Sequence, residues 1–198
     1  MKVNEIFYSI QGEGRNTGRA AIFVRLAGCN LSCPFCDTNH QPYEDLTEDE
    51  ICAQIAKYSA NFVVITGGEP TMQLTESLVA KIHDLGKWVA IETNGTREIP
   101  AGINWVTISP KWPFLHHEAA KLKVKKADEL KLVFDGKMTE EEIEQYYRDF
   151  DAGYYYLQPC DTGDAERNRE IINQLVDYVK EHPQWKISLQ THKMLNVR

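Results

Sequence analysis

Residues 62–95 read FVVITGGEPTMQLTESLVAKIHDLGKWVAIETNG, and this stretch decides the fold. Two apolar, β-rich runs at 62–66 and 88–92 bracket a helical pattern over 72–86 that ends at Gly86. Both runs read as buried strands, and a helix between two such strands implies that they lie parallel in one sheet. Each strand ends in a polar, glycine-bearing turn, Thr66-Gly67-Gly68-Glu69-Pro70 and Glu92-Thr93-Asn94-Gly95. In parallel sheets ligands collect at the carboxyl ends of the strands, where these turns fall.

The same alternation continues outward. Further apolar runs stand at 20–26, 104–109, 129–134, 153–158 and 186–190. Helical patterns fill 47–58, where Thr47 and Glu50 form a capping-box signature, 139–150 behind Thr139, and 164–181 ahead of Pro183. The expectation is an α/β protein: a partial, open (β/α) barrel of about six core parallel strands in a single domain over 1–198. A complete eightfold barrel typically needs about 250 residues. Only 112–127 lacks clear periodicity and reads as partly irregular. Three more strand ends carry unusual turns, Gly28-Cys29, Ser109-Pro110-Lys111 and Gln158-Pro159, and all five should converge on one cleft.

At 42% hydrophobic, the 198 residues are able to bury a substantial core. A net charge of -7 repels polyanions, so no nucleic acid is expected as a partner. The basic run at 121–126 reads as a solvated surface. No segment approaches the roughly 18 apolar residues of a membrane span, and MKVNEIFYSIQGEG lacks a signal peptide's pattern, so a soluble cytoplasmic protein is expected.

Three of the five cysteines, Cys29, Cys33 and Cys36, crowd into eight positions, a poor disulfide framework but a good metal-binding one. Three thiolates on a cubane iron-sulfur cluster leave one iron open to bind a substrate, which a fourth would block. The rival reading is a zinc site completed by His40. Zinc clips usually draw their ligands from two separated elements, whereas this set uses one short loop. Cys52 is spaced to face the core of a helix, and Cys160 follows Gln-Pro at a strand end with no assigned role.

Cys-x3-Cys-x2-Cys with Phe35 before the last cysteine, followed by GGEP at 67–70, resembles the radical S-adenosylmethionine superfamily. Over nearly the whole chain, FYSIQGEG at 7–14, FVRLAGC into the cluster loop, CDT at 36–38, ETNG at 92–95, SPK at 109–111 and SLQTHK at 188–193 are similar to the 7-carboxy-7-deazaguanine synthase family. The resemblance implies a barrel of the radical S-adenosylmethionine type and three cofactors: a 4Fe-4S cluster on Cys29, Cys33 and Cys36, S-adenosylmethionine, and Mg2+ on the Thr38 hydroxyl. It implies conversion of 6-carboxy-5,6,7,8-tetrahydropterin to 7-carboxy-7-deazaguanine, with ring contraction and loss of ammonia. The 5'-deoxyadenosyl radical takes a hydrogen from C6, the substrate radical rearranges, and the hydrogen returns to it so that the cofactor is regenerated; no side chain need carry the radical.

Residue roles follow from the same matching. Phe35, Asp37, Gly67, Gly68, Glu69, Gly95, Ser109, Pro110, Lys111 and Gln158 would line the S-adenosylmethionine pocket. Ile10, Gln11, Gly12 and Glu13 would meet the polar edge of the pterin, with Thr93 beside them. Arg25 would face the substrate carboxylate, and His192 with Arg198 would close over the substrate. By residues alone, Arg25 is also a strand arginine in an ordinary ion pair, and Asp37-Thr38 equally a turn or helix cap. The family further implies a reducing partner such as flavodoxin and a homodimer. Two other functions fit the cysteines: a glycyl-radical activating enzyme, and a zinc or iron-sulfur interaction module without catalysis.

Overall fold

The computed structural model describes residues 1–36, 38–39 and 41–198. Among the described residues, nine strands and six α-helices follow in the order β1 (Lys2–Ile10), β2 (Ala20–Leu26), β3 (Glu44–Asp45), α1 (Glu48–Ile55), β4 (Phe62–Gly67), α2 (Glu76–Asp84), β5 (Trp88–Thr93), β6 (Trp105–Ile108), α3 (Trp112–Leu115), β7 (Lys126–Phe134), α4 (Glu140–Asp149), β8 (Asp151–Pro159), α5 (Ala165–Glu181), β9 (Lys186–Ile187) and α6 (Thr191–Leu195). All nine strands join one sheet in the order β3-β1-β2-β4-β5-β6-β7-β8-β9. From β2 to β9 neighbouring strands are parallel. Strand β1 runs antiparallel to both β2 and β3. The sheet has two free edges, β3 and β9, and is an open α/β barrel: six parallel strands of four to nine residues and the two-residue β9.

Several boundaries differ from the sequence reading, each for a local reason. The pattern at 72–86 yields a helix only from Glu76, because the Thr75 hydroxyl accepts the Leu78 N–H at 3.1 Å and a separate 3-10 turn occupies Pro70–Met72. The run at 186–190 pairs over only two residues, and the chain then turns inward to reach the opposite edge of the cavity. Strand β1 adds a leading antiparallel strand that lies outside the strand–helix alternation. The capping boxes at Thr47 and Thr139 are both formed.

Alternation along each strand divides the side chains between two layers. Outward, Ile22, Val24, Val63, Ile65, Val89 and Ile91 pack on Ile51 and Ile55 of α1 and Leu78, Val79 and Ile82 of α2. In the second half, Leu130, Leu132 and Leu157 meet Ile143 of α4, Ile171 and Leu175 of α5, and Trp185. Each fully buried Leu or Ile in these layers contributes about 1.5–3 kcal/mol of transfer free energy. Inward, Phe7, Phe23, Phe62, Val64 and Ala90 form an apolar floor. Toward the carboxyl ends the inner face becomes polar: Arg25 follows Phe23 on β2, Thr66 follows Val64 on β4, and Glu92 follows Ala90 on β5.

Candidate active site

A cavity of about 620 Å³ opens at this polar end, within the range of small-molecule sites. One wall is the cysteine loop, with Cys29, Cys33, Phe35, Cys36 and Thr38. The loop folds tightly: Cys36 N–H donates to the Cys33 carbonyl at 3.2 Å, and Leu31 N–H points at Cys29 Sγ at 3.4 Å. All three thiols are free, and burial pushes those of Cys29 and Cys33 up. Among the described residues, no three Cys, His, Asp or Glu side chains converge as on a single metal ion. A cubane does not ask for that convergence, because it takes each thiolate at a different iron. Asp37 and His40, assigned to the cofactor pocket and to the zinc alternative, lie outside the described residues.

The end of β4 packs directly against this loop. Gly68 N–H donates to the Leu26 carbonyl at 3.1 Å and Glu69 N–H to the Gly28 carbonyl at 3.0 Å. A Cβ at Gly68 would stand 2.2 Å from the Gly28 oxygen and 2.8 Å from Cys29 Cβ, and Gly67 adopts a φ of 141° that side chains disfavour. Glycine is therefore demanded here by the cysteine loop itself, besides leaving backbone open to the cavity.

Glu69 does not line the cavity. Its fully buried carboxylate accepts from Thr71 N–H (3.0 Å), Thr71 hydroxyl (2.5 Å), Thr93 hydroxyl (2.7 Å) and Asn94 N–H (2.8 Å), which locks the ends of β4 and β5 together. Gly95 and Pro110 also stand outside the lining. The Gly95 carbonyl instead receives the N–H groups of Lys123 and Val124. Ser109 and Lys111 do line it: Lys111 Nζ donates to Ser109 Oγ at 2.8 Å and sits 5.6 Å from the Phe35 ring centroid. Desolvation holds the Lys111 ammonium below its ordinary value.

The opposite wall joins the two ends of the chain. Ile10, Gln11, Gly12 and Glu13 leave β1, and His192 and Arg198 arrive from the carboxyl terminus, all lining the cavity with Thr93 and Gln158. Ser188 bridges, accepting the Gly14 N–H at 3.0 Å and donating to Gln158 Oε1 at 2.9 Å. Arg25 gives Nε to Glu5 Oε1 at 2.9 Å, so the ordinary ion pair is present, yet the side chain still faces the cavity. Glu5 also holds the Arg198 guanidinium, and the Ser9 hydroxyl donates to the Arg198 main-chain oxygen at 2.5 Å.

The sequence reading missed Glu92, Gln190 and Lys131 as site residues. Lys131, 5% exposed, contacts Glu13 closely and lies 3.7 Å from Glu92 Oε2. Its signal was present: a lysine inside the apolar run ELKLVF has no solvent to reach.

Comparison with known proteins shows the family of the chain and its fold. The Radical SAM superfamily model matches residues 23–113. The 7-carboxy-7-deazaguanine synthase of Bacteroides thetaiotaomicron is 44% identical, with 100% of this chain and 98% of that protein covered. The synthase of Burkholderia multivorans is 38% identical over 98% of each. Among solved structures, QueE from Escherichia coli superposes with a TM-score of 0.73 at 26% identity, over 96% of this chain and 93% of that one. SuiB from Streptococcus suis bound to S-adenosylmethionine gives 0.53 at 17% identity, over 81% and 48%, a likeness of fold alone.

Proposed function

The chain belongs to the 7-carboxy-7-deazaguanine synthases of the radical S-adenosylmethionine superfamily, and from that premise we propose how its residues divide the work. It is a lyase that contracts 6-carboxy-5,6,7,8-tetrahydropterin to 7-carboxy-7-deazaguanine with release of ammonia, in 7-deazapurine and queuosine biosynthesis. Cys29, Cys33 and Cys36 hold the 4Fe-4S cluster; the free thiols on one cavity wall and the close-packed Gly67-Gly68 suit that group. When bound, the cluster and S-adenosylmethionine supply a 5'-deoxyadenosyl radical that abstracts hydrogen.

The rest is positioning. Phe35, Ser109, Lys111 and Gln158 border the cofactor side of the cavity, and Gln11, Glu13 and Thr93 the pterin side. Amide and carboxylate groups offer the donors and acceptors that a pterin edge needs. The Arg25 guanidinium keeps its two Nη groups for the substrate carboxylate while Glu5 holds Nε, a planar fork against a planar anion. The Thr38 hydroxyl, which lines the cavity, would hold a Mg2+, a hard cation that takes oxygen ligands and would add positive charge for the substrate carboxylate. The segment 188–198 covers the pterin and excludes water. The chain works as one domain, in a cytoplasmic homodimer reduced by a flavodoxin-like donor. These last features follow the family, and among the described residues no helix is long and apolar enough to cross a membrane.

The observation that carries the reading is that QGEG and SLQTHK, far apart in sequence, meet across the cavity from the cysteines. The test is anaerobic incubation of the reconstituted protein with S-adenosylmethionine, reductant, Mg2+ and the carboxytetrahydropterin. The expected result is the deazaguanine acid by mass with ammonia in equal amount. A glycyl radical on a partner protein, with no ammonia, would overturn it.

A further inference from the structure

Strand β7 sends Glu129, Lys131 and Val133 to the inner face, while Leu130 and Leu132 pack against the helices. Lys131 is thus a lysine in the wall of the barrel, 5% exposed. An ammonium in such a place is costly unless paired. Its partners come from two separate elements: Glu13 from the loop after β1, and Glu92 from β5.

The hydrogen bonds around this group leave an asymmetry. Each Glu13 oxygen accepts one hydrogen bond, Oε2 from Lys131 and Oε1 from Gln190 Nε2 at 2.9 Å, and keeps a further lone pair. Glu92 Oε1 accepts from Gln11 Nε2 at 2.8 Å, and Gln11 Oε1 in turn receives the Glu13 N–H at 3.1 Å. Among the described residues, Glu92 Oε2 has only the longer ion-pair contact to Lys131. An ammonium has three donors, and Lys131 spends one on Glu13. Two carboxylates thus share one wall of the cavity with a single cation between them.

We propose that Lys131 is the positioning residue of the pterin subsite: it holds Glu13 and Glu92 side by side as anions, ready to accept the N–H groups of the substrate ring. The proposal rests on the deazaguanine synthase reading of the cavity. A pterin ring carries adjacent ring and amino N–H groups, and an ionised carboxylate, unlike a protonated one, is a pure acceptor for them. Without the lysine, the desolvation of the Glu13 carboxylate would lose its main offset, and a protonated Glu13 would offer a donor to a donor. Burial alone would raise the Glu13 value, but the Lys131 charge and hydrogen bond, with Gln190 and His192, lower it to about 2. Burial likewise disfavours the Lys131 ammonium, and Glu13, then Glu92 and Glu129, raise it above the ordinary lysine value. The groups facing this cluster are Glu92 from β5, Glu129 from β7, Lys111 from the turn after β6, and His192 from the tail.

The experiment measures equilibrium binding of 6-carboxypterin, a non-reacting fluorescent probe, to the cluster-reconstituted protein with S-adenosylmethionine and Mg2+. For the parent, Kd should stay flat between about pH 5 and 7.5, because Glu13 remains ionised throughout. For Lys131→Met, Kd should be weaker by about tenfold or more near pH 5 and recover as pH rises, the sign expected when a carboxylate pKa moves up into the range. Lys131→Arg should restore the flat profile. In turnover with the true substrate, the loss in Lys131→Met should fall on KM rather than kcat. A purely structural lysine would change thermal stability without adding this pH slope, so Lys131→Met binding as tightly and as flatly as the parent overturns the proposal. Should Lys131→Met not fold, the double variant with Glu13→Gln, which removes both charges, decides: weak, pH-independent binding is expected, and parent-like affinity overturns it. A parent that binds the probe with a flat profile yet forms no deazaguanine acid faults the reaction assigned above and leaves the role of Lys131 standing. A parent that does not bind it overturns both.

Discussion

Thr191 is anchored to Gly12 by both its backbone N–H and its hydroxyl, each donating to the Gly12 carbonyl at 3.0 Å. This fixes α6 on the loop after β1 and stacks His192 directly against Gly12, whose added Cβ would stand 2.2 Å from His192 Nδ1. The two chain ends thereby form one wall of the cavity.

Gly12→Ala should therefore lift the tail off the cavity without unfolding the barrel. The expected effect is a rise in KM for the carboxytetrahydropterin of about tenfold, the size of one lost charge-assisted contact, with cluster absorbance unchanged. Steady-state kinetics beside the visible spectrum checks it; an unchanged KM would show that the tail does not cover the substrate.

Glu69→Gln tests the lock between β4 and β5. The carboxylate accepts four hydrogen bonds in full burial, and an amide would turn an NH2 against donors. A loss of about 2–3 kcal/mol in unfolding free energy is expected, together with poorer cluster incorporation, since the Glu69 N–H also holds the Gly28 carbonyl beside Cys29. Denaturant unfolding of the parent and variant measures it.

Replacing Cys29, Cys33 or Cys36 by Ala should abolish turnover and lower iron content, because these are the three thiols of the one loop proposed to hold the cluster, whereas Cys160, the fourth cysteine lining the cavity, follows the end of β8. Cys52, on α1, packs against the outer core, and Cys52→Ala should cost about 1 kcal/mol of packing and leave iron content intact. Equal iron loss in all four variants after identical reconstitution would undo the assignment.

Thr38→Ala should keep the cluster and S-adenosylmethionine binding but lose much of the stimulation by Mg2+, while Thr38→Ser retains it. If Thr38 only shapes its turn, Ala should lower stability by about 1 kcal/mol and leave the magnesium response as in the parent. Titrating Mg2+ against initial rate for the three proteins separates the two.

The local rhythm of the chain determined the parallel strands and the long helices, because burial on two faces, capping by Thr47 and Thr139, and the stop before Pro183 are all written within a few residues of each other. The cysteine spacing likewise placed three thiols on one short loop, whatever the rest of the chain did. Tertiary structure decided what no local pattern records. It turned Glu69 from a pocket residue into a buried brace, because Thr71, Thr93 and Asn94 converge on it only once β4 and β5 are neighbours. It also gave Lys131 its place: an inward, buried lysine on β7 is tolerable only where Glu13 and Glu92, distant in sequence, bring their negative charge into the same wall. Periodicity and capping act over a turn or a strand and can be read along the chain, whereas the pairing of buried charges depends on which strands lie side by side, and that is set by the sheet order.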